Sequence, residues 1–366
     1  MTNLLTITHS MSRGISIGDY TLRIYQLMFL ISFILGYQIF KAMLKREKAP
    51  VSWMDPLLTY SVVATVIGAR LGHVLFYQPD YYLKHPLEIL MVWKGGLASH
   101  GAAIALIIAM YLLAKKVTKT PMLWLLDRIV IVVALAAAFI RIGNYTNSEI
   151  VGRPGNSSFE TVFTYPAKEY LNSFYKNYIY DVAFMETEER LELDGMDYPV
   201  YEANFFVEDN VDPQDLALSL ERNILPRMSL LSSDEQHILA YPDAKAEIIS
   251  PVEIRIKVLG VPRYPTQLFE AGAYFISFLI LIFFYLKTRK RFDLGFLFGL
   301  FLTLIFGFRL YVEQFKANQV GFEEGMSLNM GQLLSIPLIL AGIYFMIVSK
   351  KKTYIFSEQH PDKVDE

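Results

Sequence analysis

Seven stretches of mostly apolar residues dominate this chain, near 22–41, 56–77, 97–114, 122–143, 266–286, 293–312 and 332–349. As an α-helix, each is long enough to cross the hydrocarbon core of a bilayer, which needs about 20 residues. That core offers no partner to a backbone amide, so helices that satisfy their own hydrogen bonds are the natural outcome. The chain of 366 residues is 53% hydrophobic and 19% charged, with mean hydropathy +0.32. This is too apolar for an ordinary soluble domain. The sequence predicts an all-α polytopic membrane protein with seven transmembrane helices.

Charge orients those helices. Basic clusters follow the first, third, fifth and seventh runs: Lys41, Lys45, Arg46 and Lys48; Lys115, Lys116 and Lys119; Lys287, Arg289, Lys290 and Arg291; Lys350, Lys351 and Lys352. The other connections carry few Lys or Arg for their length. Positive charge beside spans stays in the cytoplasm, so the N-terminus is expected outside and the C-terminus cytoplasmic. The segment 154–263 then lies outside. It holds 20 Asp and Glu against 9 Lys and Arg, while the rest holds 16 against 25; such acidity reads as a solvated surface.

That segment has the marks of a folded domain. SSDEQHILA has capping-box spacing from Ser232 to Glu235. DPQDLALSLERN starts like a capped helix, with Asp212 before Pro213. YPVYEANFFV and VEIRIKV have strand-like content. A small α+β insertion between helices 4 and 5 is expected. The linear partition is 1–153, 154–263, 264–350 and a cytoplasmic tail at 351–366. The chain has no cysteine, which excludes disulfides, thiolate metal ligands and an internal thiol nucleophile. The first twenty residues lack the basic and short apolar regions of a cleaved signal, so the first run reads as an uncleaved span.

With orientation assigned, polar residues from six runs fall at one depth, near the outer ends. Tyr25 and Gln26 open the first run, and Arg70 and His73 lie in the outer half of the second. His100 opens the third within GGLASHGAA, and Arg141 and Asn144 close the fourth. Gln267 and Glu270 open the fifth within RYPTQLFEA, and Arg309 and Glu313 close the sixth within FGFRLYVEQF. Asp127 and Arg128 sit towards the inner side, where snorkelling accounts for them.

Singly, each has an ordinary reading. Arg70 lies in GARLG, a small-xxx-small packing motif. Arg309 and Glu313 are i,i+4 partners. Gln267 and Glu270 can simply start a helix, and a lone His100 among Ser and Gly is more often structural. A charge at mid-helix costs about 2.5–3.5 kcal/mol in a bilayer, and less near the ends. Convergence of six runs at one depth is the stronger point, and it reads as a polar cavity open to the outer leaflet. Arg70, Arg141, Arg153 and Arg309 suit it to phosphate, which guanidinium groups bind through paired hydrogen bonds. The residues alone leave transport and group transfer both open.

The stretch RIGNYTNSEIVGR, 141–153, is similar to the signature of bacterial phosphatidylglycerol–prolipoprotein diacylglyceryl transferases. Further stretches resemble that family in order: IYQLMFLISF around Tyr25, GARLGHVLFY around Arg70, WKGGLASHGA around His100, YPTQLFEA around Gln267, FGFRLYVEQF around Arg309, and MGQLLSIPLILAGI in the seventh run. The chain departs from the pattern at Ser148, usually glycine, and at Val151, usually Trp. Tyr264 and Thr266 replace His and Ser, and His100 is followed by Gly-Ala rather than Gly-Gly. The segment 154–263 is longer than is typical.

The resemblance implies transfer of a diacylglyceryl group from phosphatidylglycerol to the lipobox cysteine of a preprolipoprotein, with glycerol 1-phosphate leaving. Its implied partners are that lipid, the signal peptide carrying the lipobox cysteine, and the bilayer, with no nucleic acid and no cofactor or metal. The implied place is the bacterial inner (cytoplasmic) membrane, multi-pass, with the 154–263 insertion periplasmic and the active site towards the periplasmic leaflet. His100 is the candidate base for the thiol, and Arg141 and Arg309 the clamp on the departing phosphate. Asn144 and Asn147 are expected on head-group or phosphate oxygens, with Glu149 orienting them. Gly152 is expected to permit a tight turn, Arg153 to bind the head group, and Tyr25 to reach a phosphate oxygen. Arg70, Gln267, Glu270 and Glu313 complete the expected binding residues. One rival is a transporter or flippase of an anionic lipid. Another is a receptor whose acidic outer domain does the work.

Overall fold

The computed structural model describes residues 5–17, 20–92, 95–96, 98–157, 159–231, 236–288, 292–317, 328–349 and 353–359. The capping box expected at 232–235 and the basic residues 289–291 and 350–352 lie outside the described residues.

Seven helices are long and apolar enough to cross a membrane: Ile24–Glu47, Val51–Phe76, His100–Thr118, Met122–Thr146, Thr266–Lys287, Phe296–Phe315 and Met330–Ser349. Each falls on one of the seven apolar runs, so the chain is built as a polytopic membrane protein. In chain order the elements begin with β1 (Leu5–His9), β2 (Gly14–Ile17), β3 (Tyr20–Arg23), α1 (Ile24–Glu47), α2 (Met54–Phe76), α3 (Pro79–Lys84), α4 (Ser99–Leu113) and α5 (Met122–Thr146). Then come β4 (Phe159–Phe163), α6 (Thr164–Phe174), β5 (Ile179–Leu193), β6 (Met196–Val207), α7 (Pro213–Ser219), α8 (Leu225–Met228), β7 (Ile238–Ala240), β8 (Glu247–Ser250) and β9 (Glu253–Gly260). The chain continues with α9 (Thr266–Lys287), β10 (Phe292–Asp293), α10 (Phe296–Val312), α11 (Met330–Ser349), β11 (Thr353–Tyr354) and α12 (Phe356–Gln359).

Two compact units form, and they cut across the linear partition. One comprises Met1–Phe29, Ala138–Gly272 and Phe308–Leu334; the other comprises Leu30–Ala137, Ala273–Gly307 and Ser335–Glu366. In the first unit, β1 pairs in parallel with β4, from Leu5 opposite Phe159 to His9 opposite Phe163. The N-terminal strand therefore belongs with the 154–263 segment. That segment carries an antiparallel sheet in the order β5-β6-β9-β7, with β8 also on β9. Ile254, Ile256 and Val258 alternate into the core beside Phe205, Leu216, Leu220 and Leu225, the period-two burial expected of a strand under helices. Asp212 caps α7 by accepting the Gln214 N–H at 2.8 Å, with Pro213 in the first turn.

The second unit corrects the reading of Asp127 and Arg128. Neither snorkels: each is about 1% exposed. Arg128 donates to both Glu47 oxygens, at 3.0 and 2.7 Å. Glu47 also accepts from Trp124 Nε1 at 3.1 Å and the Tyr285 hydroxyl at 2.9 Å. Asp127 accepts the N–H groups of Gly295 (2.7 Å) and Phe298 (2.8 Å), capping α10. Charges withdrawn from water persist when paired and hydrogen-bonded. The Glu47 pairing also accounts for α1 running past its apolar window, through Lys41, Lys45 and Arg46. Gly68 and Gly72 meet Gly101 at backbone contact, as the small-xxx-small spacing predicts.

Candidate active site

The signature lies where α5 ends, in the first unit. The N–H groups of Asn147, Ser148 and Glu149 bond back to the carbonyls of Gly143 (3.0 Å), Tyr145 (3.0 Å) and Asn144 (2.9 Å). The chain then turns away through two non-glycine residues in the left-handed region, Ser148 at φ +55° and Ile150 at φ +54°. Side chains disfavour that region, β-branched ones most. External bonds hold the turn: Gln267 Nε2 donates to the Glu149 carbonyl at 2.7 Å, and Thr266 Oγ1 to the Ile150 carbonyl at 3.2 Å.

The turn expected at Gly152 falls instead at Ser148 and Ile150. Gly152 is needed for close approach. A Cβ there would lie 2.3 Å from the Tyr264 carbonyl oxygen and 2.9 Å from that of Phe315. Its N–H donates to Tyr264 O at 3.1 Å, and its own carbonyl accepts from Arg263 Nη1 at 3.0 Å. Gly143 is a second close approach: a Cβ there would meet the Tyr25 ring at 2.9 Å, which places Tyr25 on the signature helix.

One continuous polar chain links seven of the predicted residues of this unit, Asn147, Glu149, Asn144, Arg141, Glu270, Glu313 and Arg309. Asn147 Nδ2 donates to Glu149 at 3.2 Å, and Asn144 Nδ2 to the other Glu149 oxygen at 3.4 Å. Arg141 Nη1 donates to Asn144 Oδ1 at 3.4 Å, and Arg141 Nε pairs with Glu270 at 3.1 Å. Glu270 accepts from Lys316 Nζ at 3.1 Å, and Lys316 Nζ also reaches Glu313 at 2.9 Å. Glu313 ends the chain on Arg309 Nε at 3.2 Å, and Asn329 Nδ2 supports its second oxygen at 3.3 Å. Glu270 is fully buried. The Arg309 side chain is 33% exposed and, among the described residues, is paired through Nε alone. Its two Nη groups suit it to a phosphate. Arg153 is exposed, its guanidinium 6.0 Å from the Phe315 ring centre.

The two remaining predicted residues belong to the second unit. Arg70 is buried, and its donors go to main-chain carbonyls: Glu88, Ile89 at 2.9 Å, Gly95 at 2.6 Å and Gly96 at 3.3 Å. The side chain also lies over the Tyr82 ring. It braces the loop that leads into α4. His100 is exposed in the first turn of α4, its ring 5.0 Å from that of Phe76 and 5.8 Å from that of Tyr77.

The family profile described as prolipoprotein diacylglyceryl transferase matches residues 13–348. The chain belongs to this family. Among its relatives is a phosphatidylglycerol–prolipoprotein diacylglyceryl transferase of Tolumonas auensis, 32% identical over 92% of this chain and 95% of the relative. Similar proteins of the same description occur in Porphyromonas gingivalis, 34% identical over 89% of this chain and 88% of the relative, and in Bacteroides fragilis, 32% identical over 91% of each. The protein is thus a transferase, and in this transferase two site residues escaped sequence reading. Lys316 is buried between two carboxylates; its spacing from Arg309 and Glu313, i+7 and i+3, was the available signal. Arg263 is fully buried and joins the Gly152 carbonyl to that of Gln236, the latter at 2.6 Å. No local pattern marks it.

Proposed function

We propose that the chain moves the diacylglyceryl group of phosphatidylglycerol to the lipobox cysteine of a preprolipoprotein. The cysteine sulfur attacks the glyceryl carbon that carries the phosphate. A carbon–sulfur bond forms, the carbon–oxygen bond to phosphate breaks, and glycerol 1-phosphate leaves with the electron pair. The thiol proton must be removed first, since the thiolate is the nucleophile; His100 is the candidate base. The observation that carries the reading is the polar chain ending on Arg309. It fixes Arg141 and Arg309, from separate helices, through buried carboxylates. Guanidinium groups held in place before the reaction stabilise developing phosphate charge without reorganising. Asn144, Asn147 and Glu149 shape the wall beside Arg141, Tyr25 of α1 packs against the end of that helix at Gly143, and Arg153 reaches for the head group. Arg70 acts by holding its loop, while Gln267 and Glu270 act by holding the signature.

The basic clusters support a cytoplasmic C-terminus and an outside N-terminus, with 154–263 periplasmic and the site towards the outer leaflet of a bacterial inner membrane. The test is direct. Full-length protein, phosphatidylglycerol vesicles and a lipobox peptide should give the mass gain of a diacylglyceryl thioether on the peptide cysteine. Arg141→Ala should abolish it, and His100→Gln should slow it by about 10²-fold or more, as for a lost general base. A peptide left unmodified by the parent protein would remove the reading, and a fully active His100→Gln variant would remove the base.

A further inference from the structure

The left-handed Ser148 raises a question that the polar chain does not answer. Ser148 takes φ +55°, a conformation that glycine adopts freely. Serine does not: the penalty for a side chain in that region disfavours it about tenfold. Something must hold Ser148 there, and the hydrogen bond from its N–H to the Tyr145 carbonyl is only the local part.

The side chain of Ser148 answers to a residue 139 positions away. Its hydroxyl shares a hydrogen bond of 3.4 Å with His9 Nδ1. His9 ends β1, opposite Phe163 of β4, and is buried. Its ring meets Tyr145 edge-on, with centres 4.7 Å apart, and lies 5.3 Å from the Phe163 ring; Tyr145 and Phe163 also touch each other. Thr164 Oγ1 donates to the His9 carbonyl at 3.4 Å. His9 therefore stands in a slot walled by the signature helix on one side and β4 on the other. Burial lowers its basicity. Among the described residues its Nε2 has no partner, which leaves the Ser148 contact as its side-chain hydrogen bond.

We infer that His9 is a positioning residue for the transferase: through Ser148 it holds the signature turn in the left-handed conformation that a glycine would adopt unaided. The inference rests on the transferase reading of the site. The mechanical logic follows from what lies on either side. Ser148 sits between Asn147 and Glu149, which hydrogen-bond each other and carry the chain to Asn144 and Arg141. A turn that relaxes at 148 displaces both. The N-terminal strand is thus tied to the reacting residues by one imidazole.

Four full-length proteins test it: the parent, His9→Ala, Ser148→Gly and the double variant. Two readouts apply, transfer from phosphatidylglycerol vesicles to a lipobox peptide, and hydrogen–deuterium exchange of the peptide spanning 144–153. His9→Ala should lower kcat about tenfold, with the peptide KM within about twofold, and should speed exchange in 144–153. Ser148→Gly should stay within about twofold of the parent. In the Ser148→Gly background, His9→Ala should change kcat by less than about threefold and should leave exchange near that of Ser148→Gly alone. Equal losses from His9→Ala in both backgrounds would mean that His9 only packs, and would overturn the inference. So would a His9→Ala variant with parental rate and exchange, or a Ser148→Gly variant as slow as His9→Ala. A parent inactive towards the peptide would overturn the transferase reading instead, and the exchange data would still decide whether His9 holds the turn.

Discussion

Lys316→Met should break the site at its centre. Lys316 Nζ lies 3.1 Å from Glu270 Oε1 and 2.9 Å from Glu313 Oε1. The lysine is 7% exposed, Glu313 8%, and Glu270 is sealed from solvent. With the ammonium gone, two carboxylate oxygens at most about 6 Å apart face each other with no cation between them. At an effective dielectric of about 20, their repulsion alone is about 3 kcal/mol. Breaking a buried pair by removing one partner costs about 3–5 kcal/mol, so the two figures agree. Arg141 and Arg309 are each held by one of those carboxylates, so the strain reaches both. If about 3–4 kcal/mol of it falls on the transition state, kcat/KM drops by roughly 10²- to 10³-fold. The assay is peptide diacylglyceryl transfer, read by mass, beside a thermal unfolding curve in detergent. Lys316→Arg should keep most of the activity because the charge stays. Glu270→Gln added to Lys316→Met should recover part of the stability by removing one of the facing charges. Parental rate and midpoint in Lys316→Met would refute the reasoning.

Three further outcomes follow from the geometry. Gly152→Ala should cost at least as much activity as Lys316→Met, because its Cβ would lie 2.3 Å from the Tyr264 carbonyl, a backbone atom that cannot swing away; near-parental transfer would show that the segment can yield. Burial, with Arg263 and Arg13 nearby, pushes His237 down to about 3. The unfolded chain, with an ordinary histidine near 6.5, binds the proton first. Stability from this group is therefore intact above about pH 6.5 and falls as pH drops towards 3, by about 1.4 kcal/mol per unit. His237→Gln should flatten the unfolding profile between pH 6.5 and 4 relative to the parent, and superimposable profiles would reject the assignment. Arg70→Lys should destabilise the loop before α4 nearly as much as Arg70→Met, since one ammonium cannot replace a fork spread over four carbonyls; a measured thermal midpoint for Arg70→Lys close to the parent would contradict that.

The seven spans, the strands β6 and β9, the Asp212 cap and the signature itself were readable from the sequence. Each depends on a local period, a cap or a contiguous motif, and such features survive in a linear text. Several members of the polar chain stood out as well: Arg141, Asn144, Gln267, Glu270, Arg309 and Glu313 are polar at the ends of apolar runs, while Asn147 and Glu149 came from the resemblance. Their partners did not. Lys316, Arg263 and His9 were not singled out in the sequence at all. Asp127 and Arg128 looked like side chains reaching for water, yet both are buried. Gly152 looked like a turn, yet it serves as the point where three backbone segments meet. In every one of these cases the deciding quantity is a distance between residues far apart in the chain. Charge and hydrogen-bonding capacity are properties of the residue, written in the sequence. Whether they are spent on a neighbour, a carbonyl or a substrate is decided only when the tertiary fold sets what lies within hydrogen-bonding reach.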